Sequence, residues 1–193
     1  MPTCLEIITS AYRKAGVMDA AGTLSASDGQ VGLELLQEVY LDIVAKGALG
    51  RLNEVNVTAD YEALEMDRII VTTEDAVEVT LPATYTDEDT GLERAPKDLT
   101  VVTVTDLRSD YRTLYIFDAI YGAWTRVDEL ALDDYAPLSH RFPAGLKAHV
   151  AIKRAAEDGL PLSAGIVREA AMMNFALSTR FDGPSSPVAV DFF

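Results

Sequence analysis

The chain has 193 residues, 49% of them hydrophobic and 24% charged, and 31 acidic residues against 16 basic ones give a formal net charge of −15. This composition predicts a folded domain with a hydrophobic core, and the acidic excess argues against a protein that grips nucleic acid through a basic surface. The sequence has neither an apolar run of about 18 residues, as a membrane span requires, nor a secretory signal pattern, and its single cysteine, Cys4, excludes an internal disulfide and indicates a reducing compartment.

The first predicted helix covers about residues 4–15. Thr3 and Glu6 have the spacing of a capping box, in which each side chain accepts a hydrogen bond from the other residue's backbone N–H. Gly16 is expected to take the left-handed conformation that ends a helix. The apolar residues at helical spacing predict the buried face: Leu5, Ile8, Ala11, Tyr12 and Ala15.

A loop rich in small residues leads to the second predicted helix, which covers about residues 29–46. Ser27 and Asp28 are the expected N-cap, because their side chains can accept hydrogen bonds from the first free N–H groups of a helix. The predicted buried face consists of four residues: Leu36, Val39, Tyr40 and Ile43.

From about residue 54 the hydrophobic period changes to two residues, which predicts short strands separated by turns. The segments 67–82 and 112–127 each predict a β-hairpin, so that this region is expected to form an antiparallel sheet of four to six strands. Tyr115 and Trp124 are expected to anchor the face of the sheet that meets the core.

Helical periodicity then returns. A third helix is predicted over about residues 143–158, closed by Gly159, and Ser163 is expected to open a fourth that breaks at Gly183 and Pro184. One stripe of the fourth helix carries Ile166, Ala170, Met173, Leu177 and Phe181. The last ten residues, PSSPVAVDFF, have no helical period and form an apolar tail.

The predicted fold class is α+β: an antiparallel four-helix bundle with a small antiparallel β-subdomain inserted between its second and third helices, and an extended C-terminal tail. The predicted boundaries are 1–53 for the first helical pair, 54–135 for the insertion, 136–183 for the second pair and 184–193 for the tail. Charge follows the same division, because residues 54–135 hold 20 acidic and 6 basic residues, whereas the rest of the chain holds 11 and 10. The helical frame is therefore nearly neutral.

The sequence contains no motif for catalysis, metal binding or cofactor binding. Its two histidines, His140 and His149, have no companion ligands at short spacing, and acidic turns such as TDEDTG (86–91) have the composition of solvated loops. We therefore expect no enzyme activity, no metal and no cofactor. A hydrolase that used the acidic turns would require their carboxylates to converge in a pocket.

Three helical stretches carry a resemblance to a known family. They are IITSAYRKAGV (7–17), SASD (25–28) with ELLQEVYLDIVAKG (34–47), and GLKAHVAIKRAAEDGLPLSAGIVREAAMMNFAL (145–177). Together they resemble bacteriophage head–tail adaptor proteins, also called head-completion or packaged-DNA-stabilisation proteins, which occur in gene-transfer particles as well. The likeness covers the helices, and the acidic insertion departs from the compact pattern of the family.

The resemblance implies a non-enzymatic structural protein of the virion neck, assembled in the host bacterial cytoplasm and not associated with a membrane. It implies a homo-oligomeric ring, usually of twelve copies, between the portal protein and a tail or stopper protein. DNA would pass through the lumen of this ring, and an acidic lining would let it slide without sticking.

Two sets of residues are predicted to make the contacts of such a ring. The expected portal-docking residues lie in the tail: Val188, Val190, Phe192 and Phe193. The expected inter-subunit contacts are basic residues of the helices: Arg13, Lys14, Lys153 and Arg154. The alternative function is an intracellular protein-interaction module without a phage role, whose acidic sheet binds a basic partner.

Overall fold

The computed structural model describes residues 2–45, 68–73, 81, 83–86, 91–96, 98–106 and 112–181. Within these ranges the protein is α+β. The helices are α1 (Cys4–Ala15), α2 (Ala26–Ala45), α3 (Pro143–Glu157) and α4 (Ala164–Phe181). The strands are β1 (Arg68–Thr73), β2 (Tyr85–Thr86), β3 (Glu93–Arg94), β4 (Val101–Asp106), β5 (Arg112–Asp118) and β6 (Ala123–Arg126). A 3₁₀ turn, Val127–Glu129, follows β6.

Both ends of α1 form as predicted. Thr3 Oγ1 accepts a hydrogen bond from Glu6 N at 3.3 Å, and Glu6 Oε2 accepts one from Thr3 N at 3.0 Å, so the capping box is confirmed. Gly16 ends the helix with a φ of +76°. Both helix ends could be predicted from the sequence because capping depends only on residues a few positions apart.

The buried face of α1 differs from the prediction at three positions, since Leu5 is exposed and Cys4 and Ile7 are buried in addition to the other predicted residues. Leu5 is 42% exposed, so its assignment to the core is wrong. The fully or almost fully buried residues are Cys4, Ile7, Ile8, Ala11, Tyr12 and Ala15. This face is wide because both α2 and α3 pack against α1.

Helix α2 starts three residues before the predicted first residue. Ser25 Oγ accepts a hydrogen bond from Asp28 N at 3.1 Å, so Ser25 is the N-cap, and the prediction that Ser27 and Asp28 cap the helix is wrong. Asp28 lies instead in the first turn, where its negative charge is favourable to the helix dipole. The predicted face is confirmed, since all four of its residues are buried: Leu36, Val39, Tyr40 and Ile43.

Helices α3 and α4 pack against each other and are joined by a short turn, in which Gly159 has a φ of +64°. Ser163 Oγ accepts a hydrogen bond from Ile166 N at 3.4 Å and so opens α4, as predicted. The predicted stripe of α4 is buried at Ile166, Ala170, Met173 and Leu177. The side chain of its last predicted member, Phe181, lies outside the described residues, as does the tail 184–193.

The main sheet has the order β1-β4-β5-β6. Strands β4, β5 and β6 are antiparallel, which confirms the predicted hairpin over residues 112–127. Strand β1, however, pairs with β4 in parallel, so the expectation of a wholly antiparallel sheet is wrong at this edge. The chain between β1 and β4 is long enough for a parallel connection, and it contains the short β2–β3 ladder. Most of the second strand predicted for the hairpin 67–82 lies outside the described residues.

One continuous hydrophobic core joins the helices to the sheet. Helix α3 contacts α1, α2 and α4, and the sheet contributes Val101, Leu114 and Ile116 to the same buried cluster. Side chains alternate along a strand, so Tyr115 of β5 points to the face opposite Leu114 and Ile116. Trp124 of the neighbouring strand β6 lies on the same face as Tyr115. The prediction that these two aromatic residues lie on the face that meets this core is therefore wrong.

Candidate functional site

The basic residues predicted to contact neighbouring subunits all contact their own chain. On α3, Lys153 Nζ lies 3.0 Å from Glu38 Oε2 and 2.9 Å from Asp42 Oδ2, both on α2. Burial lowers the pKa of Lys153, but the hydrogen bonds and charges of Asp42 and Glu38 outweigh this effect and raise it. This lysine therefore links α3 to α2.

The next residue, Arg154, packs on α1. Its guanidinium carbon lies 5.1 Å from the centroid of the Tyr12 ring, a cation–π distance. Its nitrogens also form ion pairs with Asp158 at 2.9 Å and Glu157 at 3.4 Å, at the end of its own helix. Arg154 thus joins α1 to the C-terminal turn of α3.

The two basic residues of α1 have intrachain partners as well. Arg13 donates a hydrogen bond to the carbonyl oxygen of Gly22 at 3.1 Å, and Lys14 forms an ion pair with Glu169 of α4. Each of these four basic residues therefore has at least one polar partner within its own subunit. The inter-subunit role of the four basic residues stays a prediction.

A buried polar cluster, which the sequence did not predict, lies where the β5–β6 turn meets the start of α3. Ligand atoms of Asp98, Asp118 and His140 lie within 4.8 Å of one another. His140 Nδ1 is 3.3 Å from Asp118 Oδ2, and the side chains of both residues are less than one-tenth exposed. This is the arrangement of the described residues that could hold a metal ion.

The oxygens and nitrogens of this cluster also have partners in the protein. Arg141 forms an ion pair with Asp98, and its Nε donates a hydrogen bond to His140 Nε2 at 3.0 Å. Asp98 Oδ1 accepts a hydrogen bond from Ala119 N at 3.0 Å, and Asp118 Oδ1 accepts one from Ile120 N at 2.9 Å. Arg141 supplies a cationic charge beside Asp98, and the hydrogen bonds and ion pairs of the cluster link the β5–β6 turn to the start of α3.

The acidic turns that the sequence singled out are also held locally where the structure describes them. Arg126 binds Asp128 through two hydrogen bonds of 3.0 Å and forms an ion pair with Glu129 at 2.7 Å. Asp134 Oδ2 accepts a hydrogen bond from Ala131 N at 2.7 Å. The carboxylates of residues 87–89 lie outside the described residues.

A groove of about 480 Å³ runs between β6 and the segment 134–137. Tyr121 and Tyr135 stack over it with their ring centroids 5.2 Å apart, and they are 43% and 52% exposed. Trp124 also lines the groove and packs edge-on against Phe117. Tyrosine and tryptophan are enriched among the residues that dominate protein interfaces, so this groove, which we call the aromatic groove, is a candidate contact surface.

The outer face of α4 is the second candidate surface. Three large apolar side chains there are well exposed: Val167 at 50%, Met172 at 62% and Phe175 at 70%. The small residue Ala171 lies between them and is exposed as well. Since the opposite stripe of α4 is already buried in the core, this helix is apolar on two faces, a pattern typical of a helix with a further partner.

The lone thiol is not a reactive group. Cys4 is fully buried, and burial, followed by the negative charge of Asp134, raises its pKa to about 12. Because the thiolate is the nucleophile and the metal ligand, Cys4 behaves as a small apolar core residue.

Two further findings complete the description. In the ranges that the structure describes, no helix has the length and hydropathy that a membrane crossing requires. Comparison with known proteins gave no match, either to a family model or to a curated protein.

Proposed function

We propose that the protein is a head–tail connector adaptor of a tailed bacteriophage or a gene-transfer particle. In this proposal the four helices form an antiparallel bundle, residues 54–135 are an acidic β-insertion between α2 and α3, and the subunits assemble into a ring between the portal and the tail. DNA passes through the lumen of the ring. The protein acts as a structural part and not as an enzyme.

The segregation of charge is the observation that carries this proposal. Residues outside 54–135 are nearly neutral overall, and three of their basic side chains, Lys14, Lys153 and Arg154, form ion pairs with acidic residues of the same helical part. Identical copies can therefore approach side by side without strong like-charge repulsion. The net charge of −14 on residues 54–135 suits a surface past which DNA must move without binding.

The apolar tail is the proposed portal-docking segment. Val188, Val190, Phe192 and Phe193 would be costly to expose to water, and an extended segment of this kind can dock by strand addition or in a groove of a partner. In the chain, the tail comes shortly after the last residue of α4.

Deletion of residues 184–193 tests the docking step. The truncated protein should keep its helical circular dichroism spectrum, because the deleted residues belong to no described element, yet its copy number in purified particles should fall at least tenfold. The matched control replaces Ser185 and Ser186 by alanine, which keeps the apolar side chains and should leave incorporation unchanged. Truncated protein in complete particles at the normal copy number would refute portal docking by the tail.

Electron microscopy of the particles tests the ring itself. We expect a ring of this protein at the head–tail junction, with a copy number that mass measurement of the particle can count. A purified monomer would not bear on this test, whereas particles that are complete without the protein would refute the proposal.

The aromatic groove favours a second candidate function, an interaction module that binds a basic partner. The groove is lined by Glu129 and Asp134 as well as by tyrosines, and arginine or lysine side chains bind both to carboxylates and to aromatic faces. Trp124 is the only tryptophan in the chain and lines the groove, so its fluorescence reports binding of an arginine-rich peptide. Saturable binding together with absence from particles would favour this function over the adaptor.

A further inference from the structure

We propose that Asp98, Asp118 and His140 bind a divalent transition-metal ion such as Zn²⁺, and that this ion displaces the guanidinium of Arg141 when it binds. We call this place the metal site. The proposal goes beyond the adaptor function and does not depend on it, because the metal site lies within one subunit.

The first argument is the set of ligand atoms. Two carboxylates and one imidazole have their ligand atoms within 4.8 Å of one another. Around an ion with bonds of about 2.0–2.2 Å, ligand atoms lie about 3–4 Å apart, so small movements of the side chains close the set. Imidazole nitrogen together with carboxylate oxygen suits Zn²⁺ and similar ions, whereas Mg²⁺ and Ca²⁺ prefer oxygen alone.

The second argument is the orientation of the two carboxylates. Asp98 Oδ1 accepts a hydrogen bond from Ala119 N. Asp118 Oδ1 accepts one from Ile120 N, the next backbone N–H of the same turn. The other oxygen of each carboxylate, Oδ2, faces Arg141 or His140. Metal-binding carboxylates are commonly held in this way, with hydrogen bonds from the surrounding protein that fix their orientation.

The third argument is the buried charge of Asp118. Its side chain is 6% exposed, and within the described ranges no lysine or arginine forms an ion pair with it. Its Oδ2 lies 3.3 Å from His140 Nδ1, whereas a charge-assisted N–H···O hydrogen bond is about 2.7–2.9 Å long. Because a buried carboxylate without a matching cation is costly, an ion between these two atoms is favourable.

Arg141 is the competitor of the ion. It forms an ion pair with Asp98, and its Nε donates a hydrogen bond to His140 Nε2, which places the ring proton on Nδ1. An ion at Nδ1 requires this proton on Nε2, and Nε2 can then no longer accept a hydrogen bond from Arg141. The two states therefore exclude each other. The Arg141 side chain is 39% exposed, so it can turn into water when the ion binds.

Isothermal titration calorimetry with Zn²⁺ tests the metal site in the full-length protein, after dialysis against a chelator and then against metal-free buffer. We expect one Zn²⁺ to bind per chain more tightly than any other. Asp118→Asn keeps the acceptor for Ile120 N but loses the carboxylate, and His140→Ala removes the imidazole. Each variant should weaken this binding at least tenfold, because each loses one of three ligands.

The matched controls remove the same groups elsewhere. Asp133→Asn changes an exposed aspartate, and His149→Ala removes the other histidine of the chain, whose Nε2 lies 3.0 Å from Asn174 Oδ1. Both controls should bind Zn²⁺ as tightly as the wild type.

A gain of affinity provides the second measurement. Arg141→Met removes the competing guanidinium and keeps a long side chain, so it should tighten Zn²⁺ binding at least tenfold. Arg13→Met makes the same change at an exposed arginine of α1 and should have no effect. Loss of the fold cannot imitate the gain, because unfolding separates the three ligands, and circular dichroism at 222 nm checks that each variant is folded.

Three outcomes would overturn the proposal. The first is Zn²⁺ binding that Asp118→Asn and His140→Ala weaken no more than their controls do. The second is the absence of Zn²⁺ binding to both the wild type and Arg141→Met. The third is equal affinity of these two proteins, which would refute the displacement of Arg141. The titration is independent of particle assembly, so failure of the metal site would leave the adaptor proposal unaffected.

Discussion

A close approach between α3 and α4, at Gly145, gives a quantitative test of how the helices pack. A Cβ atom added at Gly145 would lie 2.4 Å from Met173 Cβ, whereas ordinary van der Waals contact begins at 3.4 Å. Met173 Cβ is fixed to its backbone and cannot rotate away, so Gly145→Ala requires the two helices to separate by about 1 Å, the difference between these distances. Glycine at this position is therefore required by packing.

The expected magnitude follows from two opposing effects. Overpacking a core costs about 1–3 kcal/mol, and the upper part of that range applies here because the clash is between two backbone-anchored atoms. Alanine in place of glycine within a helix stabilises it by about 1 kcal/mol. We therefore expect Gly145→Ala to lower the free energy of unfolding by about 2 kcal/mol.

The matched control is Gly165→Ala in the first turn of α4. The nearest atom to a Cβ there, Ser163 Oγ, is 3.8 Å away, so only the gain in helix propensity applies, up to about 1 kcal/mol. Urea unfolding followed by circular dichroism at 222 nm measures both variants. If Gly145→Ala is as stable as the wild type or more stable, α3 and α4 do not approach as closely as described, and the reasoning fails.

Three further predictions rest on other contacts. Tyr40→Phe should lower the free energy of unfolding, measured in urea, by about 1–2 kcal/mol. The buried Tyr40 hydroxyl donates a hydrogen bond of 2.7 Å to the carbonyl oxygen of Pro137, and this oxygen would lose its partner. Tyr135→Phe, at an exposed hydroxyl, should change little, and equal effects of the two variants would contradict this assignment. The pKa of Cys4 is 9.0 in an unfolded chain and about 12 in the fold, so its contribution to stability is complete below pH 9 and is lost as the pH rises from 9 toward 12. Between pH 9 and 12, the free energy of unfolding should decrease less steeply with pH in Cys4→Ala than in the wild type. An equal slope in the two proteins would show that another group causes the decrease. Lys153→Ala should lower the free energy of unfolding by less than about 1 kcal/mol, because its two ion pairs are partly exposed. The decrease should become smaller in about 1 M NaCl, which screens these charges. A larger decrease that salt leaves unchanged would mean that packing of the lysine stem dominates.

Local features of this fold could be predicted from the sequence because their determinants are close together in the chain. The Thr3–Glu6 capping box, the end of α1 at Gly16 and the β5–β6 hairpin each depend on residues within one turn or one hairpin. The choice between neighbouring cap residues was not predictable in this way. Ser25 and Ser27 have the same side chain, and only the packing of α2 determines where the helix starts.

The candidate sites were predictable only in part. The apolar tail is visible in the sequence, but the exposed face of α4 is not, because Met172 and Met173 are identical residues with opposite environments. The cluster of Asp98, Asp118 and His140 could not be found from spacing, since its members are 20 and 22 residues apart and come together only through the β5–β6 turn. A signal was present in Asp118, an acidic residue at the end of an apolar strand.

By itself, the sequence determined the α+β class, the order and approximate limits of the helices, and the division of charge between a nearly neutral helical part and an acidic middle part. Tertiary structure alone decided the parallel pairing of β1 with β4 and the left-handed backbone of the buried Leu99 and Leu138, with φ values of +69° and +65°. Periodicity and capping act over a few residues, so a sequence reveals them. Strand pairing and strained backbone are stabilised by burial among residues that are far apart in the chain, so a local sequence pattern does not predict them.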